Sequence, residues 1–350
     1  MEEKLRIAVL FGGCSPEYGV SLQSAAAVID HLDDRKYAPV LIGISPKGDW
    51  FKFDGDPERI AADTWCDPAC CTPVAVSPDR TSRALLVLRE SGVEKIALDA
   101  AFPVLHGKNG EDGTVQGVFE LAGIPLVGCG VLASTLCMDK ARAHRLAQTA
   151  GIEVPRSFVL KKNMDAALAL EETESLGYPL FVKPVKAGSS YGVSKVERRD
   201  DFLAAVKLAF SYDDEIIAEE CISGFEVGCA VMGNDTLTAG ELDEIDLSGG
   251  FFDFTEKYTL KTSTIHVPAR IAQDKATEIK RTAEQIYRAL GCSGFARVDL
   301  FLDKNGRVVF NEVNTIPGFT AHSRFPSMMR AAGLSFEQVI STVIELAVGE

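Results

Sequence analysis

Apolar runs alternate with stretches of helical periodicity along most of the chain. Residues 5–11 form an apolar run closed by Gly12-Gly13, and helical spacing follows over 21–29, which predicts strand, glycine turn and helix. Residues 37–44, 95–103 and 124–127 read as further short strands, with a helix over 115–122 between the last two. A parallel sheet over about residues 1–128 is the expectation. A helix over 134–150 is stopped by Gly151, with Pro155 preventing continuation. Strands at 157–160, 180–184 and 215–220, interleaved with helices and a Gly/Ser loop, predict a second, α+β unit. Alternation returns beyond Phe225. The chain closes on a helix over 336–348 whose Phe336, Val339, Ile340, Val343, Ile344 and Ala347 share one face behind a Ser335/Gln338 capping box.

The segment 295–314 carries the most chemistry. Asn305-Gly306 is a strong two-residue hairpin signal, and with Lys304 and Arg307 as the flanking pair it places Asp299 opposite Glu312 and Arg297 opposite Asn314, all on one face. Ala296, Val298, Leu300, Val309 and Val313 fall on the other face as core. Opposed carboxylates repel, and oxygen donors suit a hard cation such as Mg²⁺ that also holds substrate phosphates. The alternative is a solvated face with Arg307 or Lys304 as counter-charge.

Composition narrows the classes. Of 350 residues, 46% are apolar and 25% charged, which excludes wholesale disorder. Fifty acidic against 36 basic side chains leave a net charge of −14, unfavourable for nonspecific binding to nucleic acid or anionic lipid. No apolar run reaches a membrane span or the core of a secretory signal, and nine cysteines without a CxxC pair suit a reducing, cytoplasmic setting. The Cys66, Cys70, Cys71 cluster matches no zinc spacing and reads as a loop with incidental thiols. The loop 187–192 follows a strand ending in Lys183-Pro184 and can turn backbone N–H groups onto phosphate, although it is not a Walker A loop and, taken alone, reads better as a plain flexible turn. Gly12-Gly13 does not match the dinucleotide fingerprint.

Together these residues resemble the D-alanine:D-alanine ligase family of ATP-grasp enzymes over essentially the whole chain. The segments that carry the likeness are FGGCSPEYGVSLQSA near the start, PVLHGKNGEDGTVQGVFELAGIPLVG at 103–128, MDKARAH at 138–144, VKPVKAGSSYGVSKV at 182–196, GFEVGCAV at 224–231, FFDFTEKY at 251–258, GCSGFARVDLF at 291–301 and NEVNTIPGFTAHSR at 311–324. The resemblance implies an α/β and α+β architecture: an N-terminal Rossmann-like parallel-sheet domain at 1–128 on the first-substrate side, and an ATP-grasp fold made of a central domain at 129–218 and a C-terminal domain at 219–350. The last would hold the metal site and a mobile loop at 248–263.

It further implies ATP-dependent joining of D-alanine to a second D-amino acid through an acyl phosphate. Two Mg²⁺ ions, replaceable by Mn²⁺, would be held by Asp299, Glu312 and Asn314. Lys140, Lys183, Ser190 and Lys257 would contact phosphate, and Glu219, Ile222 and Glu226 the adenine and ribose. Glu17 would receive the ammonium of the first D-alanine within a trio completed by Ser189 and Tyr258, beside His106. The family's acidic residue two positions after Glu17 is Gly19 here. Arg297 and the Gly318 N–H would form the oxyanion site, and Ser323 would contact the second substrate's carboxylate.

Tyr258 stands where lactate-type ligases carry histidine, and Phe252 and Arg324, with Asp243 as a bidentate partner of the arginine, resemble the serine-type vancomycin-resistance ligases. D-Alanine:D-serine ligation is therefore expected. A housekeeping D-alanine:D-alanine ligase is the alternative, and a catalytically silent nucleotide-binding regulator a remote one. The family also implies a cytoplasmic homodimer.

Overall fold

The structure is a computed structural model describing residues 4–164, 166–247 and 263–349. Three sheets organise it. The first has the order β6-β5-β4-β3-β2-β1-β7 and comprises β1 (Leu5–Gly12), β2 (Tyr37–Ile44), β3 (Trp50–Phe53), β4 (Cys71–Val76), β5 (Ala84–Arg89), β6 (Gly92–Ala97) and β7 (Ala100–Pro103). Only β2, β1 and β7 run parallel, and β3 to β6 extend the sheet antiparallel, so the parallel sheet read from the sequence is the core of a mixed one. β1 lies in the parallel part, with Ile7 to Phe11 all at 0% exposure, as expected of a strand covered on both faces.

Two short strands differ from expectation. The run 95–103 divides at Leu98-Asp99 into β6 and β7, which end at opposite edges of the sheet. Asp99 accepts the Arg6 N–H at 2.7 Å there and turns the chain. The run 124–127 contributes only a bridge between Leu126 and Ala101, because Pro125 beside it has no N–H for a ladder.

The second sheet, β10-β9-β11-β8, contains β8 (Ser157–Lys161), β9 (Leu180–Pro184), β10 (Ser194–Val196) and β11 (Glu215–Glu220), all antiparallel. β11 runs across the 218/219 boundary expected above. The third sheet, β14-β13-β12-β15-β16, contains β12 (Gly224–Gly233), β13 (Leu237–Leu247), β14 (Ser263–His266), β15 (Phe295–Asp303) and β16 (Val308–Asn314). The expected helix over 134–150 is two helices, Val131–Met138 and Lys140–Thr149. Asp139 leaves helical geometry (φ −90°, ψ 95°) and its side chain caps the second helix through the Arg142 N–H. Both helices pack with the third sheet: Ala133, Cys137, Ala143 and Ala147 share a core with Val227, Val298 and Phe310. The final helix, Phe336–Val348, forms as read, with both halves of its Ser335/Gln338 box made.

The 295–314 hairpin reaches its expected register by a different route. The turn closes between Asp303 and Arg307, with Gly306 at φ 81°, so it holds three residues and pairs Leu302 with Val308. A bulge next to Leu300 then inserts Asn311 and restores Asp299 opposite Glu312 and Arg297 opposite Asn314. The faces change accordingly. Val309 sits opposite Phe301 on the carboxylate side of the strand pair, and Phe310 takes the core position expected of Val309.

Candidate functional site

Between the second and third sheets lies a cavity of about 310 Å³ lined by Lys140, Lys183, Ser190, Glu219, Ile222, Glu226 and Glu312. The sequence resemblance implies nucleotide contact for six of these and metal ligation for Glu312. Phe181, Ile222, Phe225 and Phe301 give the walls an apolar part, and the lysines and acids give it a charged end. The helix break at Asp139 makes Lys140 the first residue of its helix, almost buried, with Nζ donating to the Ala187 carbonyl (2.9 Å) and 3.4 Å from Glu312 Oε2. Lys183 Nζ lies 2.6 Å from Glu219 Oε2. Burial pulls the Lys183 pKa down, but Glu219 overcomes it and the net shift is upward. Glu219 is 2% exposed; burial raises its pKa and Lys183 lowers it by more, so the carboxyl stays below its ordinary range.

The loop 187–192 carries two adjacent non-glycine residues at positive φ, Ser189 (50°) and Ser190 (59°). Side chains tolerate that region poorly, and such strain gathers where a backbone is shaped for a ligand. Ser189 Oγ donates to Glu17 Oε1, tying this loop to the first sheet. Glu17 is buried ahead of the helix Tyr18–Asp30, its N–H donating to Ser15 Oγ (3.2 Å), which itself donates to the His106 carbonyl (2.6 Å). His106 Nδ1–H donates to the Ile316 carbonyl (2.9 Å), a tautomer set by that acceptor, and burial lowers its pKa. Tyr258, the expected third member of the trio, lies outside the described residues, as do Lys257, Phe252 and the 248–262 part of the expected mobile loop.

Asp299 and Glu312 stand side by side on β15 and β16, and Glu312 lines the cavity. Asn314 Nδ2 donates to Asp299 Oδ2 (2.9 Å), and Arg297 grips the same carboxylate through Nε (2.8 Å) and Nη2 (2.7 Å). Among the described residues no group of three His, Cys, Asp or Glu side chains could hold a metal alone. Two carboxylates and an amide oxygen beside a phosphate-sized charged end do fit Mg²⁺, which takes one or two carboxylates and completes its shell with substrate phosphates.

Arg324 gathers the acids behind Glu226. Its side chain, at the start of the helix Arg324–Ala331, is only 9% exposed, not the solvent-facing arginine that its charge alone would suggest. Nε (2.6 Å) and Nη2 (2.8 Å) clasp Asp243, Nη1 donates to Glu226 (2.8 Å), and Nη2 lies 3.3 Å from Asp299 Oδ1. A Cβ added at Gly228 would come within 2.5 Å of both Arg324 Nη2 and Asp243 Oδ1, so glycine there leaves the pair its space. Close by, Ser323 Oγ bonds Thr320 Oγ1 (2.8 Å), and a Cβ on Gly318 would press to 3.0 Å from it.

Two residues of this region escaped the sequence reading. His144 follows Lys140 by one helical turn and reaches Glu219 (3.6 Å). Glu111 lies 3.9 Å from His106 and its pKa is pushed up to about 8, first by burial and then by Glu17. The HGKNGEDG stretch held the signal, a carboxylate five residues after a histidine across glycines, but nothing local says that it folds inward. The unfolded chain releases this proton near 4.5 and the folded chain near 8. The folded state therefore binds more protons between these values, and stability falls as pH rises through them. Thermal unfolding between about pH 6.5 and 8.5, above the histidine range, is expected to show a falling stability that Glu111→Gln flattens. Parallel pH profiles for the two proteins would refute this.

The family profile described as D-ala D-ala ligase N-terminus matches residues 6–129, and that described as D-ala D-ala ligase C-terminus matches residues 146–345. The chain is 44% identical over 350 residues to the vancomycin B-type resistance protein VanB of Enterococcus faecalis, covering 99% of each chain. It is also 44% identical over 350 residues to the D-alanine–D-alanine ligase of Caldicellulosiruptor bescii, covering 99% of this chain and 95% of that one. Among solved structures it resembles the crystal structure of the VanG D-Ala:D-Ser ligase from Enterococcus faecalis, with a TM-score of 0.92 and 53% identity over 99% of this chain and 100% of that one.

Proposed function

Because the chain belongs to the D-alanine:D-alanine ligase family, we propose that it uses ATP to join D-alanine to a second D-amino acid, and that this second substrate is D-serine. The observation that carries the serine reading is the Arg324 side chain, only 9% exposed and clasped by Asp243 beside Asp299. A guanidinium has five N–H groups. Among the described residues, Nε–H and Nη2 serve Asp243 and Asp299 and one Nη1–H serves Glu226, which leaves the other Nη1–H for a substrate hydroxyl. A methyl group offers it nothing. The 53% identity to a D-Ala:D-Ser ligase supports the same reading, whereas the 44% matches carry several specificities.

The first step has the carboxylate of D-alanine attack the γ-phosphorus of ATP, forming the acyl phosphate as the bond to ADP breaks. Lys140 and Lys183 stand where charge gathers on the transferred group, and their fixed positions need no reorganisation as it develops. Asp299, Glu312 and Asn314 would hold Mg²⁺, or Mn²⁺ in its place, as two ions that would neutralise the phosphate oxygens. Glu17, steadied by Ser189, takes the ammonium of the first D-alanine, with His106 beside it. The free amine of the second substrate then attacks the acyl carbon, Arg297 with the Gly318 N–H receives the oxyanion of the tetrahedral intermediate, and its collapse breaks the C–O bond to release phosphate, which carries away the amine's proton. Ser323 meets the incoming carboxylate.

A cytoplasmic homodimer is part of the proposal. Val118 and Leu121 on one helix and Leu132 on its neighbour expose apolar surface that a second copy would cover. Among the described residues no single helix is long and apolar enough to cross a membrane.

The test is a competition: the protein with ATP, Mg²⁺, D-alanine and an equal amount of D-serine, and the dipeptides weighed by mass spectrometry. D-Ala-D-Ser is expected to dominate. A product that is mostly D-Ala-D-Ala would favour the housekeeping reading, and no ATP-dependent dipeptide of either kind would favour the silent regulator.

A further inference from the structure

His144 is 3% exposed, and its ring is fixed by Nε2, which sits 2.7 Å from the Asn311 carbonyl, and by the edge of the Phe310 ring at 5.4 Å. A carbonyl only accepts, so the ring proton is on Nε2 and a lone pair occupies Nδ1. Nδ1 lies 3.6 Å from Glu219 Oε1. Among the described residues neither of these two buried atoms has a hydrogen-bond partner. Two acceptors facing each other in a dry wall require a donor, because a buried unpaired polar atom is costly. Glu219 lines the cavity and its other oxygen is already held by Lys183, so Oε1, buried in the wall, is the oxygen left to turn toward a ligand.

We propose that His144 is a positioning residue of the nucleotide site: its neutral ring leaves Glu219 Oε1 open to the amino group of a purine base, and its protonated ring takes that oxygen for itself. The inference rests on the cavity binding a nucleotide. When Nδ1 gains a proton it becomes a donor aimed at Oε1, and the base's amine must compete with it. The charged groups around the ring are Glu219 from β11, Lys183 from β9 and Lys140 from its own helix, with the Asn311 carbonyl from β16. Burial lowers the His144 pKa, the two lysines add to that, and Glu219 and Asn311 oppose it, so the ring is neutral at neutral pH and the site open. Acid closes it.

Binding of metal-free ADP, and of IDP, which carries an oxygen in place of the amine, tests this by calorimetry at about pH 8 and about pH 5.5, either side of the ordinary histidine range. ADP's own phosphate titrates in this interval, so the readout is the difference between proteins. The parent is expected to lose more ADP affinity on acidification than His144→Gln, by less than the roughly tenfold that a ring with the ordinary histidine pKa would give at the acid end. IDP should bind the parent more weakly at high pH, with the gap to ADP closing in acid. Glu219→Gln, which removes the carboxylate a protonated ring would pair with, should also lose the extra pH dependence. An ADP profile that is the same in parent and both variants overturns the role of His144. Failure of every protein to bind ADP at either pH overturns the nucleotide site itself.

Discussion

Glu312→Gln is expected to abolish ATP turnover while leaving the protein folded. The side chain faces Asp299 across a strand pair, borders the cavity and sits 3.4 Å from Lys140 Nζ, so its charge belongs to the phosphate end of the site. The amide is nearly the same size but carries no charge to hold a divalent ion. A contribution of about 4 kcal/mol to the transition state, the order found for a preorganised electrostatic group, corresponds to a loss of about a thousandfold. Folding should not suffer, because one of two opposed carboxylates is neutralised and Lys140 keeps its bond to Ala187. Phosphate release in the presence of D-alanine, read beside thermal unfolding, makes the check. Turnover within tenfold of the parent would remove Glu312 from the metal site.

That prediction shows why parts of the site were legible in the sequence. Alternation puts Asp299, Glu312, Arg297 and Asn314 on one face whatever the turn does, provided the register holds. The register held through two departures that cancel: the turn has three residues rather than two, and the bulge at Asn311 restores the pairing. Neither departure was visible in Asn305-Gly306. The bulge also has a use, since the Asn311 carbonyl is the acceptor that orients His144. The helix break at Asp139 was hidden for a related reason. Helical periodicity continues through it, and only the cap formed with Arg142 shows that the chain turns to begin a new helix at Lys140. Contacts such as Arg324 to Asp243 and Glu226 join a helix to strands far away in the chain, and even Glu111 to His106, five residues apart, depends on how an irregular loop folds inward. For Arg324 the likeness to a family gave the partner Asp243, and the fold added Glu226 and Asp299.

Arg324→Leu should produce the largest loss of stability, and it separates packing from specificity. Asp243 is 0% exposed, and Arg324 holds its pKa low against the burial that would raise it. Removing one partner of a buried ion pair costs about 3–5 kcal/mol, because the remaining charge is left in a poor solvent. The cost depends on pH in a defined direction. A depressed carboxyl pKa stabilises the fold above the ordinary carboxylate range, and this is lost as pH falls through the folded value. In the leucine variant the carboxyl is raised instead, so its instability should be greatest at neutral pH and shrink in acid, where Asp243 becomes a neutral acid. Denaturant unfolding at about pH 7 and about pH 4.5, either side of where a raised carboxyl protonates, measures this; a pH-independent difference would mean that the ion pair is not its source. Under conditions where the variant stays folded, ligation with D-alanine should fall because Asp299 loses a neighbour. Ligation with D-serine should fall further, because the hydroxyl also loses its donor. An equal loss with both substrates would confine Arg324 to holding Asp243, Glu226 and Asp299 in place and leave the choice of second substrate to other residues.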